Sequence, residues 1–468
     1  MPEAILNLIK GDKVGAETDY RDALPVNMYA VERQMFGVKG YMLQMPGLSS
    51  YTTAVGKDRG GHWNDQQNKH FRVSGNKFVT VANGTSTTLG TVAGTGQVAM
   101  DHSFNTQAVV AGGKYYLYDS TNGFREVVDA DLGTPIDVVW VDGYYFFTDG
   151  EFIYHTDISD ESSIDPLKFA TAEFIPDYTY GVAKTEDNKV MVFGRYSIEY
   201  FVNAATENFA FQRVPTRALK LGIVGTHCKA EVGGKMYVLG GRKEEAVSLH
   251  VIGVGSATKL GTREVDKVIA QYSEAQLSNA RIESFEHDGY TFVIIHLPDD
   301  VLLFNQTIAA SAGVGQAWSI LKSDANGDTP WRAINGVFDQ AQNTWVFGDK
   351  IDSRIGKIDS SVSTHYGDIA EWILYTPFTY LESASLDEVD VETIPGFTSA
   401  EDATVAISMT YNGVTYGKEW FEMYGLPHDY GKRFIIRRMG YVSDWVGFKL
   451  RGANTSRAAF GRAVLTYG

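Results

Sequence analysis

Short runs of alternating apolar and polar residues recur through the first three quarters of the chain, each cut by Gly, Asp or Asn. The unit is a β-run, a tight turn, a second run rich in Tyr, Phe and Val, and another turn. Copies read FRVSGNKFVTVANG at 71–84, AVVAGGKYYLYDSTNG at 108–123, DVVWVDGYYFFTDGEFIYHTD at 137–157 and GVAKTEDNKVMVFGRYSIEYF at 181–201. Three more follow: CKAEVGGKMYVLGG at 228–241, SFEHDGYTFVIIHLPDDVLLFN at 284–305 and GVFDQAQNTWVFGD at 336–349. Period-two alternation marks half-buried strands, and Gly112-Gly113, Asp142-Gly143, Gly233-Gly234 and Asp288-Gly289 are two-residue hairpin signals. A lone hairpin cannot bury both its faces. Radial stacking of small twisted sheets buries them and leaves only short edges. The pattern predicts an all-β protein built on a β-propeller of six or seven blades, with a two-sheet sandwich as the competing architecture.

From about residue 360 the strands lengthen: EWILYTPFTYLES at 371–383, VDVETIPGFTSAEDATVAISMTYNGVTYG at 389–417 and KRFIIRRMGYVSDWVGFKLRG at 432–452. The change predicts a separate β-sandwich-like platform domain. The expected division is 1–60 as an N-terminal arm and strands packing on the platform, 61–360 as the propeller and 361–468 as the platform. The strongest helix signal is at 263–283, with apolar Val265, Val268, Ile269 and Tyr272, and Ser273-Glu274 placed to cap a second turn.

Composition supports the β reading and narrows function. Aromatics are 13% of the 468 residues, with 26 Tyr and 25 Phe beside 48 Gly, a mixture that favours pleated strands and their turns. The net charge of −16 argues against a broad basic surface that grips nucleic acid, though not against a duplex sliding past. A single cysteine, Cys228, allows no intrachain disulfide and reads as a small buried apolar residue. The first residues, MPEAILNLIKGDK, do not read as a signal peptide, and no run approaches a membrane span. Synthesis in a cytosol without membrane anchoring is expected.

Candidate chemistry is sparse. No histidines show metal-ligand spacing, so no metal and no cofactor are expected. His296 lies inside an apolar run and reads as a satisfied core histidine. GVGSATKLG at 253–261 lacks the strand–loop–helix context of a phosphate loop and reads as a blade connection. The acidic DISDESSID at 157–165 reads as a solvated loop, with Ca²⁺ binding as the alternative. SDANGDTPW at 323–331 resembles a blurred Asp-box turn of sialidase-type propellers, with Trp331 plugged beneath it. Its spacing is off and no Arg triad accompanies it. Basic residues cluster only at Lys432, Arg433, Arg437 and Arg438, around a Phe-Ile-Ile strand. Strand neighbours point to opposite faces, so one of each pair is expected to meet acidic partners at a subunit interface, with DNA contact as the alternative.

Several stretches, in order, resemble the tail hub of short-tailed bacteriophages, also called the packaged-DNA stabilisation protein or tail nozzle. They are DYRDALPVNMYA at 19–30, SIEYFVNA at 197–204, LKLGIVGTHCK at 219–229, FVIIHLPDDVLLF at 292–304, GVTYGKEWFEMYG at 413–425 and DYGKRFIIRRMGYVSDWVGFKL at 429–450. The resemblance spans nearly the whole chain and implies a non-catalytic virion protein: a homo-hexameric ring below the portal and its adaptor. That ring would pass double-stranded DNA, help a plug or needle retain the genome, and hold tailspikes or fibres. In this reading Pro25 stiffens an arm that Leu24, Val26 and Met28 anchor against the platform, its acidic ends meeting the basic residues at 432–438. The competing arrangement is an edge strand of its own domain. Carboxylates lining the pore would lower friction for passing DNA. A carbohydrate-binding or glycoside-hydrolysing propeller, and a cytosolic scaffold, are the alternatives.

Overall fold

The computed structural model describes residues 2–8, 24–33, 40–158, 160–326, 328–395, 403–429 and 431–468. Each of the seven repeats lies in its own antiparallel sheet of four or five strands. The hairpin signals behave as their chemistry requires. Gly112 and Gly113, Asp142 and Gly143, Gly233 and Gly234, and Asp288 and Gly289 all take positive φ. These are the paired left-handed residues of a type I′ turn, whose twist matches that of the flanking strands.

One strand of each sheet lines an axis: Asp58–Asn64, Ala99–His102, Asp137–Val141, Thr179–Lys184, Lys229–Val232, Arg281–His287 and Ala333–Asp339, the first four and the last three each standing side by side and Ala333–Asp339 beside Asp58–Asn64. Blades I to VI are each drawn from one continuous stretch. Blade VII has three strands of its own, Ala333–Asp339, Thr344–Asp349 and Arg354–Asp359. Its fourth, Gly47–Thr53, comes from before blade I and runs antiparallel to Arg354–Asp359, with Asp359 opposite Gly47. The propeller therefore has seven blades, and its ring is closed by hydrogen bonds between the two ends of the propeller segment.

The second domain is a β-sandwich. One sheet runs Met28–Val31, Tyr41–Gln44, Ala459–Tyr467, Ala384–Thr393, Phe434–Val442, and Glu3–Asn7 also pairs with Ala459–Tyr467. The other runs Trp372–Tyr375, Trp445–Gly452, Thr404–Thr410, Glu419–Met423, with Thr379–Tyr380 also against Trp445–Gly452. The N-terminal strands thus belong to the C-terminal sandwich, and the chain enters the propeller at Gly47. The largest apolar core crosses from one domain to the other. It contains Leu239, Val293, Phe304 and Trp318 of blades V and VI together with Met28, Trp372, Phe434 and Phe460 of the sandwich.

Two local expectations are corrected. The helical stretch holds two short helices, Arg263–Ile269 and Glu274–Leu277, the second capped at Ser273 as expected, but it ends early: residues from Arg281 are already in the strand Arg281–His287. The acidic stretch after residue 157 is not a loop. It opens the strand Asp160–Ala170, which folds along Ile153–Asp157 with two register shifts; Ser159 lies outside the described residues. The Asp-box-like turn is structural: the Asp324 carboxylate accepts from the backbone N–H groups of Asp328 and Thr329 and from the Thr329 hydroxyl, and Trp331 is buried. Its Gly327 is outside the described residues.

Ring closure is sensitive at Gly47, where an added Cβ would lie 2.3 Å from the carbonyl oxygen of Thr364. Gly47→Ala is expected to destabilise the chain by about 1–3 kcal/mol, read as a lower urea midpoint. Gly96→Ala, whose Cβ meets open space, serves as the control. Equal midpoints for the two variants would contradict the closure described here.

Candidate functional site: the inter-domain seam, the sandwich edge and the propeller axis

The segment Leu24–Met28 sits in the seam between blade VI and the sandwich. Val26 donates its N–H to the Ile373 carbonyl at 2.9 Å and accepts from Ile373 N–H at 3.0 Å. On its other side, Ile320 N–H donates to the Pro25 carbonyl at 2.9 Å and Asn27 N–H donates to the Ile320 carbonyl at 2.8 Å. Asn27 takes a positive φ of 52°, a region asparagine enters more readily than most residues. Its side chain then makes three hydrogen bonds: Nδ2 to the carbonyls of Lys322 (3.0 Å) and Glu371 (2.7 Å), and Oδ1 from Lys322 N–H (2.9 Å). Leu24 is 8% exposed and Met28 fully buried in the shared core. Pro25 and Val26 are half-buried.

Leu24 and Met28 do pack against the sandwich, in the competing arrangement of an edge strand of its own domain. Met28–Val31 is the edge strand of the sandwich's own sheet, and Leu24 and Met28 are buried within one chain. An Asp at either would therefore disturb this chain's core rather than selectively block contact with another subunit. Asp19 and Asp22, expected to meet the basic strand, lie outside the described residues.

The basic strand has nearer partners. Arg433 Nε donates to Asp390 at 2.9 Å and Arg437 Nε to Glu388 at 2.9 Å. Both acids lie on the adjacent strand Ala384–Thr393, so the ion pairs are internal to the sheet. The arginines are 61% and 69% exposed, and pairs so well solvated contribute little to stability. Strict alternation also fails here. Arg437 faces Glu388 while Gly440 faces Leu386, the register shifts between them, and Arg438 has φ 58°. This bulge leaves Arg437 and Arg438 both exposed, and Lys432 is half-buried. Phe434–Val442 and Glu419–Met423 are the edge strands of their two sheets and lie side by side. Exposed Phe421, Tyr411 and Tyr441 join the arginines along this edge, and the Tyr411 hydroxyl donates to the Tyr441 carbonyl. Exposed aromatic and arginine side chains together are the usual composition of a protein contact surface.

The propeller axis is polar, and its carboxylates are largely matched. Asp58 accepts from Arg72 Nε at 2.8 Å and from Asn335 at 2.6 Å. Lys229 pairs with Asp137 at 2.6 Å, and His296 Nε2 lies 2.5 Å from Glu283. Cys228 is buried, and burial raises its thiol pKa to about 12, an inert thiol. Sequence spacing gave no metal set, because the fold assembles one from separate blades. His62 Nε2 is 2.7 Å from His102 Nδ1, with Asp101 adjacent. Both Asp101 oxygens already accept backbone N–H groups, of His102 and Trp140. These three residues are the group among the described residues that could hold a metal ion.

Burial governs titration along the axis. It pushes His62 down to about 3, with His102 and His70 adding to the effect, and His70 down to about 4. Burial likewise takes His296 to about 4 and His365 to about 3. Each folded value lies below the unfolded one, so the unfolded chain binds more protons below pH 6.5. Their stabilising contribution is present above that pH and is lost as pH falls toward 4. Asp101 is raised by burial to about 6. Its cost is present above pH 6 and relieved on acidification, which opposes the histidines. Burial also raises Asp58 and Glu231 and lowers His102, His155, His227, His250 and His287, so the lowered histidines outnumber the raised carboxylates and the net effect is a loss, each group contributing about 1.4 kcal/mol per pH unit at most. Urea midpoints are expected to fall from pH 7 to pH 5; a flat or rising profile would contradict these environments.

Comparison with known proteins accords with this architecture. A family model described as bacteriophage P22 Gp10, beta-propeller, matches residues 4–363, and one described as its beta-sandwich matches residues 371–467. The tail hub protein gp10 of Salmonella phage P22 is 31% identical over 472 residues, covering 96% of each chain. Among solved structures, a streptogramin B lyase aligns over 67% of this chain and 97% of its own, at TM-score 0.44 and 12% identity. The virginiamycin B lyase of Staphylococcus aureus aligns over 68% of this chain and 99% of its own, at 0.42 and 14%. With a propeller and a sandwich each matched in order and nearly every residue aligned, the chain belongs to the bacteriophage P22 Gp10 tail hub family.

Proposed function

We propose that the chain is a structural tail hub of a phage virion and assembles as a homo-hexameric ring below the portal and its adaptor. The ring gives ejecting DNA a channel, helps a plug or needle retain the packaged genome, and anchors tailspikes or fibres. The observation that carries this reading is the 31% identity to a tail hub protein, sustained across both domains and 96% of the chain.

The structure offers surfaces suited to that role. A ring needs two different complementary patches on each subunit. The sandwich edge, with Phe421, Tyr441, Arg433, Arg437 and Arg438, is one candidate, and Lys432 borders it. Val128, Ile158 and Leu167, in and beside the outer strands of blades II and III, are exposed apolar side chains that a second patch could use. The net charge of −16 suits a lumen that repels phosphates. Glycoside hydrolysis is less well supported: it needs two carboxylates free to act across an open cleft, and Asp58, Asp137 and Glu283 on the axis are each bound to Arg72, Lys229 and His296.

Light scattering with negative-stain imaging, on the chain alone and with a candidate portal–adaptor complex, is expected to show six-fold rings. Phe421→Asp with Tyr441→Asp should abolish rings while leaving the urea midpoint nearly unchanged, because both side chains are exposed. A monomer that ignores the adaptor would overturn the tail-hub reading. Rings that survive the double variant would overturn only the assignment of this edge.

A further inference from the structure

The axis opens into two cavities of different electrostatic character. One, of about 390 Å³, is lined by Asp101, Asp137 and Glu231 and by Lys184, Lys229 and Arg281, so its charges balance. The other, of about 580 Å³, lies where blades VI, VII and I meet. It is lined by Lys57, Arg59, Arg281, Arg332 and Lys350 but by a single carboxylate, Asp58. Asp58 is already held by Arg72.

Among the described residues, Lys57, Arg59, Arg281 and Lys350 make no ion pair, and Glu283 nearby only partly offsets Arg281 and Lys350. Arg332 is paired with Asp349 and Asp352. Arg59 is 4% exposed and spends its guanidinium on the carbonyls of Gly75, Ala93 and Gly96, none of which carries charge. Arg281 straddles both cavities, and its Nε is buried with no hydrogen-bond partner. No ion pair is formed by Lys350 among the described residues, and burial lowers its pKa to about 8. Arg59 is buried and Arg281 and Lys350 are half-buried, and a cation drawn out of water is costly unless an anion neutralises it.

His296 narrows the ligand. It is 4% exposed, its Nε2 faces the Glu283 carboxylate, and its Nδ1 is buried and unpartnered. A neutral imidazole facing an ionised carboxylate carries its proton on Nε2, which leaves Nδ1 as an acceptor. The cavity therefore presents cationic donors and one acceptor. An ionised carboxylate ligand satisfies only the donors. Inorganic phosphate or a phosphomonoester that keeps one proton offers both oxyanions and a P–OH.

We propose that this cavity binds a phosphate group carrying a free P–OH, as inorganic phosphate or the end of a phosphomonoester. A phosphodiester, as in a DNA backbone, has no P–OH to give His296 and is excluded.

The test is isothermal titration calorimetry of the purified full-length chain with inorganic phosphate, glycerol 1-phosphate and dimethyl phosphate. One saturable phosphate per chain is expected, with no binding of the diester. Binding of glycerol 1-phosphate as well as phosphate would show that the site takes a substituted end. Binding of phosphate alone would show that it takes the free ion; either result supports the site. Lys350→Gln and Arg281→Gln should each weaken binding about tenfold or more, the usual effect of losing a charge-assisted contact. Lys243→Gln, at an exposed position away from the cavity, should leave it unchanged. Circular dichroism checks folding, and if Arg281→Gln does not fold, Lys350→Gln decides. Absence of saturable binding, equal binding of the diester, or a Lys350→Gln variant with unaltered affinity would overturn the proposal.

Discussion

The structure hinges on five residues, Leu24–Met28, that hydrogen-bond to both domains at once. Their backbone pairs with blade VI at Ile320 and with the sandwich at Ile373, and Asn27 binds Lys322 and Glu371 across the same gap. A buried backbone segment must satisfy its polar groups, and here the partners come from two domains rather than one. The seam is then filled on its apolar side by Met28, Trp318, Trp372 and Phe460. A propeller and a sandwich joined only by a linker would move independently. Shared hydrogen bonds and a shared core make them one unit.

Placement of the N-terminal strands follows from that seam. Glu3–Asn7, Met28–Val31 and Tyr41–Gln44 complete the sandwich, and the very next strand, Gly47–Thr53, closes blade VII. Arg457 reinforces the turn between these tasks: its buried guanidinium donates to the Gln44 carbonyl and the Tyr29 hydroxyl. Closure of the propeller and completion of the sandwich therefore depend on one short stretch of chain. The axis that closure creates keeps its carboxylates matched at one cavity and leaves cations in excess at the other.

Much of the fold was legible in the sequence because its signals are local. Asp142-Gly143 and its counterparts impose φ > 0 whatever surrounds them, and each of the seven repeats landed in a separate blade. Blade number was left at six or seven because the strand completing blade VII lies some 300 residues from its partner. The seam was marked by its residues but not by their partners: nothing near Asn27 in sequence reveals Lys322 or Glu371. Alternation misread Arg437 and Arg438 because a bulge is a property of the pairing register, not of one strand. The cap at Ser273 was legible, whereas the end of the 263–283 stretch was not, because Arg281–His287 pairs as a strand with Tyr290–His296. His62, Asp101 and His102 escaped notice because metal-type spacing is a rule about neighbours, and these residues meet across two blades.

The most direct measurement is differential scanning calorimetry of the full-length chain. A continuous seam predicts one unfolding transition, with calorimetric and van't Hoff enthalpies equal. Two resolved transitions, one for the propeller and one for the sandwich, would contradict the claim that residues 24–28 bind the domains into a single cooperative body.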